Sequence, residues 1–146
     1  MGMSSIAARP LGMFGLIRAV NGVQDFLEAK LATVGLSIPR LAALQHLADA
    51  GDALPLGQLA ERLACVKSNV TQLIDRLEAD GLVKRTPDPN DKRSRLAVLT
   101  DAGRRSWRDG VRVRNEVETH LFSSLSDEDT ARLSEILAAI RRASTT

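Results

Sequence analysis

Apolar residues recur along most of this chain at helical spacing. Between Leu11 and Val34 one stripe holds Met13, Ile17, Val20, Leu27, Leu31 and Val34, and a second holds Phe14, Val23 and Phe26. Two stripes on one helix predict two packing partners. One is the chain's own core; the other is a second subunit or a further side of the same monomer. Gly35 is a predicted stop, Ser37 an N-cap and Pro39 a first-turn residue of the next helix. That second helix carries Leu41, Leu44, Leu47 and Ala48, and Gly51 ends it. Residues 52–55 read as a short connection. A third helix follows with Leu56, Leu59, Ala60 and Leu63, then a turn at Ala64–Val66. The fourth helix places Val70, Leu73, Ile74 and Leu77 at i, i+3, i+4 and i+7, and Gly81 closes it.

The period then changes. Leu82–Thr86 reads as a short strand, residues 87–91 (Pro-Asp-Pro-Asn-Asp) as a dense turn signal, and Ser94–Leu99 as an alternating strand. In that alternation Leu96 and Val98 share one face, Arg95 and Ala97 the other. Together these predict a hairpin with a long polar tip. Thr100 followed by Asp101 is an N-cap signal for a helix running to about Phe122, longer than 30 Å at ~1.5 Å per residue. Ser126-Asp127-Glu128-Asp129 is a second capping signature, and the last helix lines up Leu133, Ile136, Leu137 and Ile140.

Composition narrows the function classes. The chain has 146 residues, 44% hydrophobic and 26% charged, which fits one ordered globular domain. A single cysteine, Cys65, permits neither an internal disulfide nor a cysteine-based zinc cluster. With no signal-like or membrane-length apolar run, the expected compartment is the cytoplasm. Two histidines, His46 and His120, leave little for metal or acid–base chemistry. The absence of Tyr, with only Phe14, Phe26, Trp107 and Phe122 as aromatics, disfavours a single-strand binder built on base stacking. No nucleophile–base motif, metal constellation or phosphate-binding glycine loop is found, so neither an enzyme nor a cofactor is expected.

The candidate chemistry lies on the fourth helix and the hairpin. With Val70, Leu73, Ile74 and Leu77 turned inward, the opposite face holds Lys67, Ser68, Asn69, Thr71, Gln72, Asp75 and Arg76. Amides and hydroxyls for base edges, flanked by cations for guanine or phosphate, are what major-groove readout needs. A lone helix with such a face is more often simply solvated. The hairpin changes the balance: Lys84, Arg85, Lys92, Arg93 and Arg95 against Asp88 and Asp91 give a local charge of +3 (five minus two). The whole chain carries only +2, so the rest sums to −1. A basic loop directly after a recognition-type helix is what a wing needs to reach phosphate or a neighbouring minor groove.

The motif Val70-Thr71-x-x-Ile74-Asp75-Arg76-Leu77-Glu78-x-x-Gly81-Leu82-Val83-x-Arg85, continued by Asp91-Lys92-Arg93-Ser94 and Val98-Leu99-Thr100-x-x-Gly103, resembles the MarR family of winged helix-turn-helix transcription regulators. The match runs from about Leu36 to the C-terminus. The resemblance implies a mainly α fold with a small β-wing, in which a winged helix-turn-helix lobe (residues 37–100) is flanked by dimerisation helices (11–35 and 101–143) within one domain (1–146). It also implies an obligate homodimer with first and last helices intertwined, a recognition helix in the major groove and a wing Arg in the minor groove, oriented by the acid of the Asp91-x-Arg93 pair. The sequence departs from the family pattern at Ala64, where Gly is commoner, and at Val66, where a polar N-cap is common; Ser68 is an alternative cap.

The expected function is a homodimeric, ligand-responsive repressor of an inverted-repeat operator in double-stranded DNA. The candidate contacts are Lys67, Ser68, Asn69, Thr71, Gln72 and Arg76 on the helix and Arg85, Asp91, Lys92, Arg93, Ser94 and Arg95 on the wing. Phe14, Arg18, Arg40, His46 and Trp107 are candidates for a pocket taking a small anionic aromatic ligand, against a reading as core and surface residues. Cys65 sits where a small apolar residue belongs, so an inert thiol is weighed against a thiol-responsive switch. A winged-helix protein-interaction adaptor is the remaining alternative; it would not require a basic wing.

Overall fold

The structure is a computed structural model that describes residues 12–64 and 69–145. The described elements are α1 (Met13–Ala32), α2 (Ile38–Asp49), β1 (Ala53–Pro55), α3 (Leu56–Leu63), α4 (Val70–Ala79), β2 (Val83–Asp88), β3 (Asp91–Leu99), α5 (Asp101–Phe122) and α6 (Asp127–Ala143). The chain is mainly α with a small antiparallel sheet, as the periodicity predicts. Contacts divide it into two compact units, one ending at Val113 and one beginning at Arg114.

The predicted caps are in place. Gly35 takes φ +73°, which lets the Leu36 amide turn back to the Leu31 carbonyl at 3.0 Å and close α1. Gly81 does the same for α4, with the Leu82 amide on the Leu77 carbonyl at 3.0 Å. The hydroxyls of Ser37, Thr100 and Ser126 accept from the Arg40, Gly103 and Asp129 amides, so each helix starts where the sequence places its cap.

In the first unit Leu41, Leu44 and Leu47 of α2, Leu59 and Leu63 of α3, and Leu73, Ile74 and Leu77 of α4 are buried with Val83, Ala97 and Leu99. α2 packs on α3, α4 and β3, and so sits at the centre of this core. The sheet corrects the sequence reading in three ways. Residues 53–55 are a strand rather than a mere connection: β1 pairs with β3, giving the order β1-β3-β2. Three residues are too few to display a two-residue period, and Pro55 is tolerated because the strand lies at an edge. Secondly, the core face of β3 carries Ala97 and Leu99, while Leu96 and Val98 are only half-buried. Thirdly, the hairpin tip is short. Asp88 pairs with Asp91, leaving a two-residue turn at Pro89–Asn90.

The start of α5 is pinned to the base of the hairpin. Thr100 Oγ1 donates to the Gly81 carbonyl at 2.6 Å, and Arg104 pairs with Asp52 and Asp101. A Cβ on Gly103 would run into the backbone carbonyl of Leu82. Backbone cannot rotate aside, so Gly103→Ala is expected to destabilise the fold by about 1–3 kcal/mol despite the better helix propensity of Ala. Gly57→Ala, where a Cβ meets no described atom within 4 Å, should be neutral or mildly stabilising in the same thermal melt. Equal Tm values for the two variants would refute the close approach.

The terminal helices leave apolar faces open. On α1, Phe14 is 81% and Met13 72% exposed, and Ile17, Val20 and Val23 continue the stripe. In the second unit α6 buries no residue at all, and Ile136, Leu137 and Ile140 lie on its surface. Large exposed apolar stripes on a monomer mark interaction surfaces.

Candidate nucleic-acid interface

The interface is built on α4. Burial of Leu73, Ile74 and Leu77 fixes the helix by one face, which leaves Thr71, Gln72, Asp75 and Arg76 exposed on the other. α4 starts at Val70, and its N-cap is Asn69, whose side-chain oxygen accepts from the Gln72 amide at 3.1 Å. The Asn69 amide group in turn donates to Gln72 Oε1 at 3.3 Å. Asn69 is therefore engaged in starting the helix, and its amide keeps one donor hydrogen and one acceptor lone pair beyond these two bonds. Asn69→Ala should cost about 1 kcal/mol of cap and weaken DNA binding with it, while Asn69→Ser should restore both. A base-reading role would leave the Ser variant as impaired as the Ala variant in a gel-shift titration. Lys67, Ser68 and Cys65 lie outside the described residues, and so does the cap alternative at Ser68.

The hairpin presents its charge in an ordered way. The two acids shape the tip: Asp88 Oδ1 accepts from the Asn90 amide and Asp91 Oδ1 from the Arg93 amide, each at 2.9 Å. Asp91 thus holds the Arg93 backbone rather than its guanidinium. Lys84, Lys92, Arg93 and Arg95 are exposed, and none forms an ion pair among the described residues. Ser94 is half-buried beside them.

Arg85 has a different environment. Its Nη2 reaches Asp75 Oδ1 at 2.5 Å and its Nη1 reaches Glu78 Oε1 at 3.4 Å. Glu78 Oε2 also accepts from the Arg85 backbone amide at 3.1 Å. Arg85 therefore ties the first wing strand to α4, and its charge is matched by two acids of that helix. The motif contains all three residues, but their spacing along the chain does not say which of them pair.

On the opposite flank of α4, Arg40 at the start of α2 pairs with Asp80 and donates from Nη1 to the Gly35 carbonyl at 3.2 Å. The sequence makes Arg40 a candidate for a ligand pocket. The structure turns it toward α4, where it lines a cavity of about 100 Å³ with Ser37, Pro39, Gln72, Leu73 and Arg76. Arg40 alone of the five pocket candidates lines this cavity. Phe14 and Arg18 are exposed on α1, and His46 is half-buried on α2. Trp107 on α5 donates from Nε1 to Gln45 Oε1 of α2 at 3.0 Å.

Among the described residues no cluster of three His, Cys, Asp or Glu side chains could hold a metal ion, and no helix is long and apolar enough to cross a membrane.

The family model described as "MarR family" matches residues 36–94, which hold α2 through the wing tip. The chain is 39% identical over 96 residues to the transcriptional activatory protein BadR of Rhodopseudomonas palustris, covering 64% of this chain and 55% of that protein. It is 31% identical over 109 residues to the HTH-type transcriptional regulator YfiV of Bacillus subtilis, covering 74% of this chain and 67% of that one. The chain thus spans little more than half of the first relative and two thirds of the second. Its fold superposes on a mutant of Escherichia coli MarR complexed with operator DNA with a TM-score of 0.75, at 26% identity, covering 86% of this chain and 90% of that one. A matching family model over the lobe that carries α4 and the wing, regulators among the relatives and a shared fold over most of the chain agree, and the chain belongs to the MarR family.

Proposed function

We propose that the protein is a homodimeric, sequence-specific DNA-binding transcription regulator that represses from an inverted-repeat operator. One observation carries the reading: an exposed polar helix face on α4 stands next to a hairpin whose four cations, Lys84, Lys92, Arg93 and Arg95, are left unpaired by the described residues. The α4 face suits base edges in a major groove, and the hairpin suits phosphate and the adjoining minor groove. The likeness to a MarR protein complexed with operator DNA supports the same reading. The open apolar stripes of α1 and α6 support a second copy of the chain as the partner that covers them. Two-fold symmetry then requires two half-sites about one helical turn, ~10 bp, apart.

The test is selection of bound sequences from a random DNA pool, followed by footprinting of the recovered site. A palindromic footprint with binding that falls steeply with salt supports the reading. A footprint without two-fold symmetry overturns it. Repression is read from a reporter placed behind the recovered site, whose expression should rise when the protein is removed. A further part of the reading is that the repressor responds to a small anionic aromatic ligand, for which exposed Arg18 supplies the cationic chemistry; release of DNA by small aromatic carboxylates in the gel shift tests it.

A further inference from the structure

The cavity between the start of α2 and α4 is lined by donors. Arg76 is exposed and has no ion pair among the described residues. Arg40 spends Nη1 on the Gly35 carbonyl and Nη2 on Asp80, while its Nε is buried without a hydrogen-bond partner. The Ser37 oxygen accepts from the Arg40 amide, so its hydroxyl proton remains to be donated. The Gln72 oxygen accepts from Asn69, which points that side chain's amide group away as a donor. Asp80 is the one carboxylate bonded to any of these four residues among the described contacts, and it is more than half exposed. A volume of about 100 Å³ has room for a phosphoryl group.

Two guanidiniums, a hydroxyl and an amide around such a space suit an anionic oxygen group. Its position decides between the possible sources. Gln72 and Arg76 belong to the helix assigned above to the major groove, and a groove is walled by backbone phosphates. We propose that this cleft takes one backbone phosphate of each operator half-site, making Arg40 of α2 a DNA anchor separate from both the recognition helix and the wing. In the DNA-bound protein the phosphate draws Arg40 away from Asp80 and completes its Nε. The proposal rests on the DNA-binding reading above.

The test uses the full-length protein and the operator recovered by selection, with single neutral methylphosphonates scanned along each strand. Arg40→Gln should weaken binding about tenfold, on operator and random DNA alike, and make the salt dependence shallower by about one phosphate per half-site. One methylphosphonate per half-site should cost the wild type a similar factor and cost Arg40→Gln, which keeps only Arg76, Ser37 and Gln72 there, clearly less. Asp80→Asn removes the competing carboxylate and should tighten binding. Thermal melts and dimer mass of both variants guard against simple unfolding, and Arg40→Lys, which keeps the charge without Nε, should be intermediate. If every sensitive phosphate stays equally sensitive in Arg40→Gln, the inference falls. If inorganic phosphate at constant ionic strength competes with DNA in the wild type but not in Arg40→Gln, with the scan unchanged, the cleft belongs to a free anion and the DNA contact is overturned. Failure of the wild type to bind any DNA would instead remove the parent reading, since Arg93→Ala would then also have no effect.

Discussion

Arg93→Ala should weaken operator binding about 100-fold while leaving the melting temperature and the dimer mass unchanged. The expected size follows from the contact it would remove. An exposed hydrogen bond to a charged group stands at the lower end of its range, about 1.5 kcal/mol, and a two-fold complex loses one at each half-site, about 3 kcal/mol in all. Arg93 can be removed without harm to the fold because its side chain is exposed and makes no ion pair among the described residues. The tip is held instead by its backbone amide on Asp91 and by the Asn90 amide on Asp88. Asp91→Ala should accordingly mimic a weak Arg93→Ala, because it loosens the backbone that aims the guanidinium. Arg85→Ala has a different expected signature. Removing it separates the wing from α4 and leaves Asp75 and Glu78 uncompensated, so it should perturb base preference as well as affinity. A gel-shift midpoint for Arg93→Ala equal to that of the wild type would take the wing out of the mechanism.

Leu137→Glu should convert the protein from dimer to monomer in light scattering at micromolar concentration and abolish operator binding there. Leu137 is exposed on α6 between Ile136 and Ile140, on a helix with no buried residue. In an isolated protomer the substitution is harmless: Glu is a good helix former, and it stands four residues before Arg141, in the favourable order for an ion pair. In a dimer that buries this stripe it places an unpaired carboxylate in an apolar contact, at a cost of about 3–5 kcal/mol per copy. DNA binding then falls because each half-site must be held alone, without the effective concentration that a linked second lobe provides. Retention of the dimer mass by Leu137→Glu would show that α6 is not part of the interface.

The part of the site that was legible in the sequence is the part built from local rules. The inward set Leu73, Ile74 and Leu77 follows from spacing along one helix, and with it the identity of the outward residues Thr71, Gln72 and Arg76. The basic hairpin is likewise visible, because consecutive residues of one strand pair carry the charge. What spacing along the chain does not show is how Asn69 and Arg85 are engaged: Asn69 caps α4, and Arg85 of the basic hairpin is bonded to two acids of that helix. Arg40 shows the same limit over a longer distance. Its partner Asp80 lies 40 residues away, and the two meet only because α2 packs against α4.

By itself, the sequence determined where α2, α5 and α6 begin and where α1, α2 and α4 end, because capping hydroxyls and left-handed glycines act within a few residues of one another. It also determined that a basic hairpin follows a polar-faced helix, and it carries the residue motif on which the family resemblance rests. Tertiary packing alone decided that β3 buries Ala97 and Leu99 rather than Leu96 and Val98, since the space left by α2 and α3 sets which face turns inward. It alone decided that three residues of an apparent connection complete a sheet, because the open edge of β3 supplies their partners. It also sorted the cations of the interface into those that brace α4 and those left exposed, a choice made by which carboxylates the folded chain brings within reach.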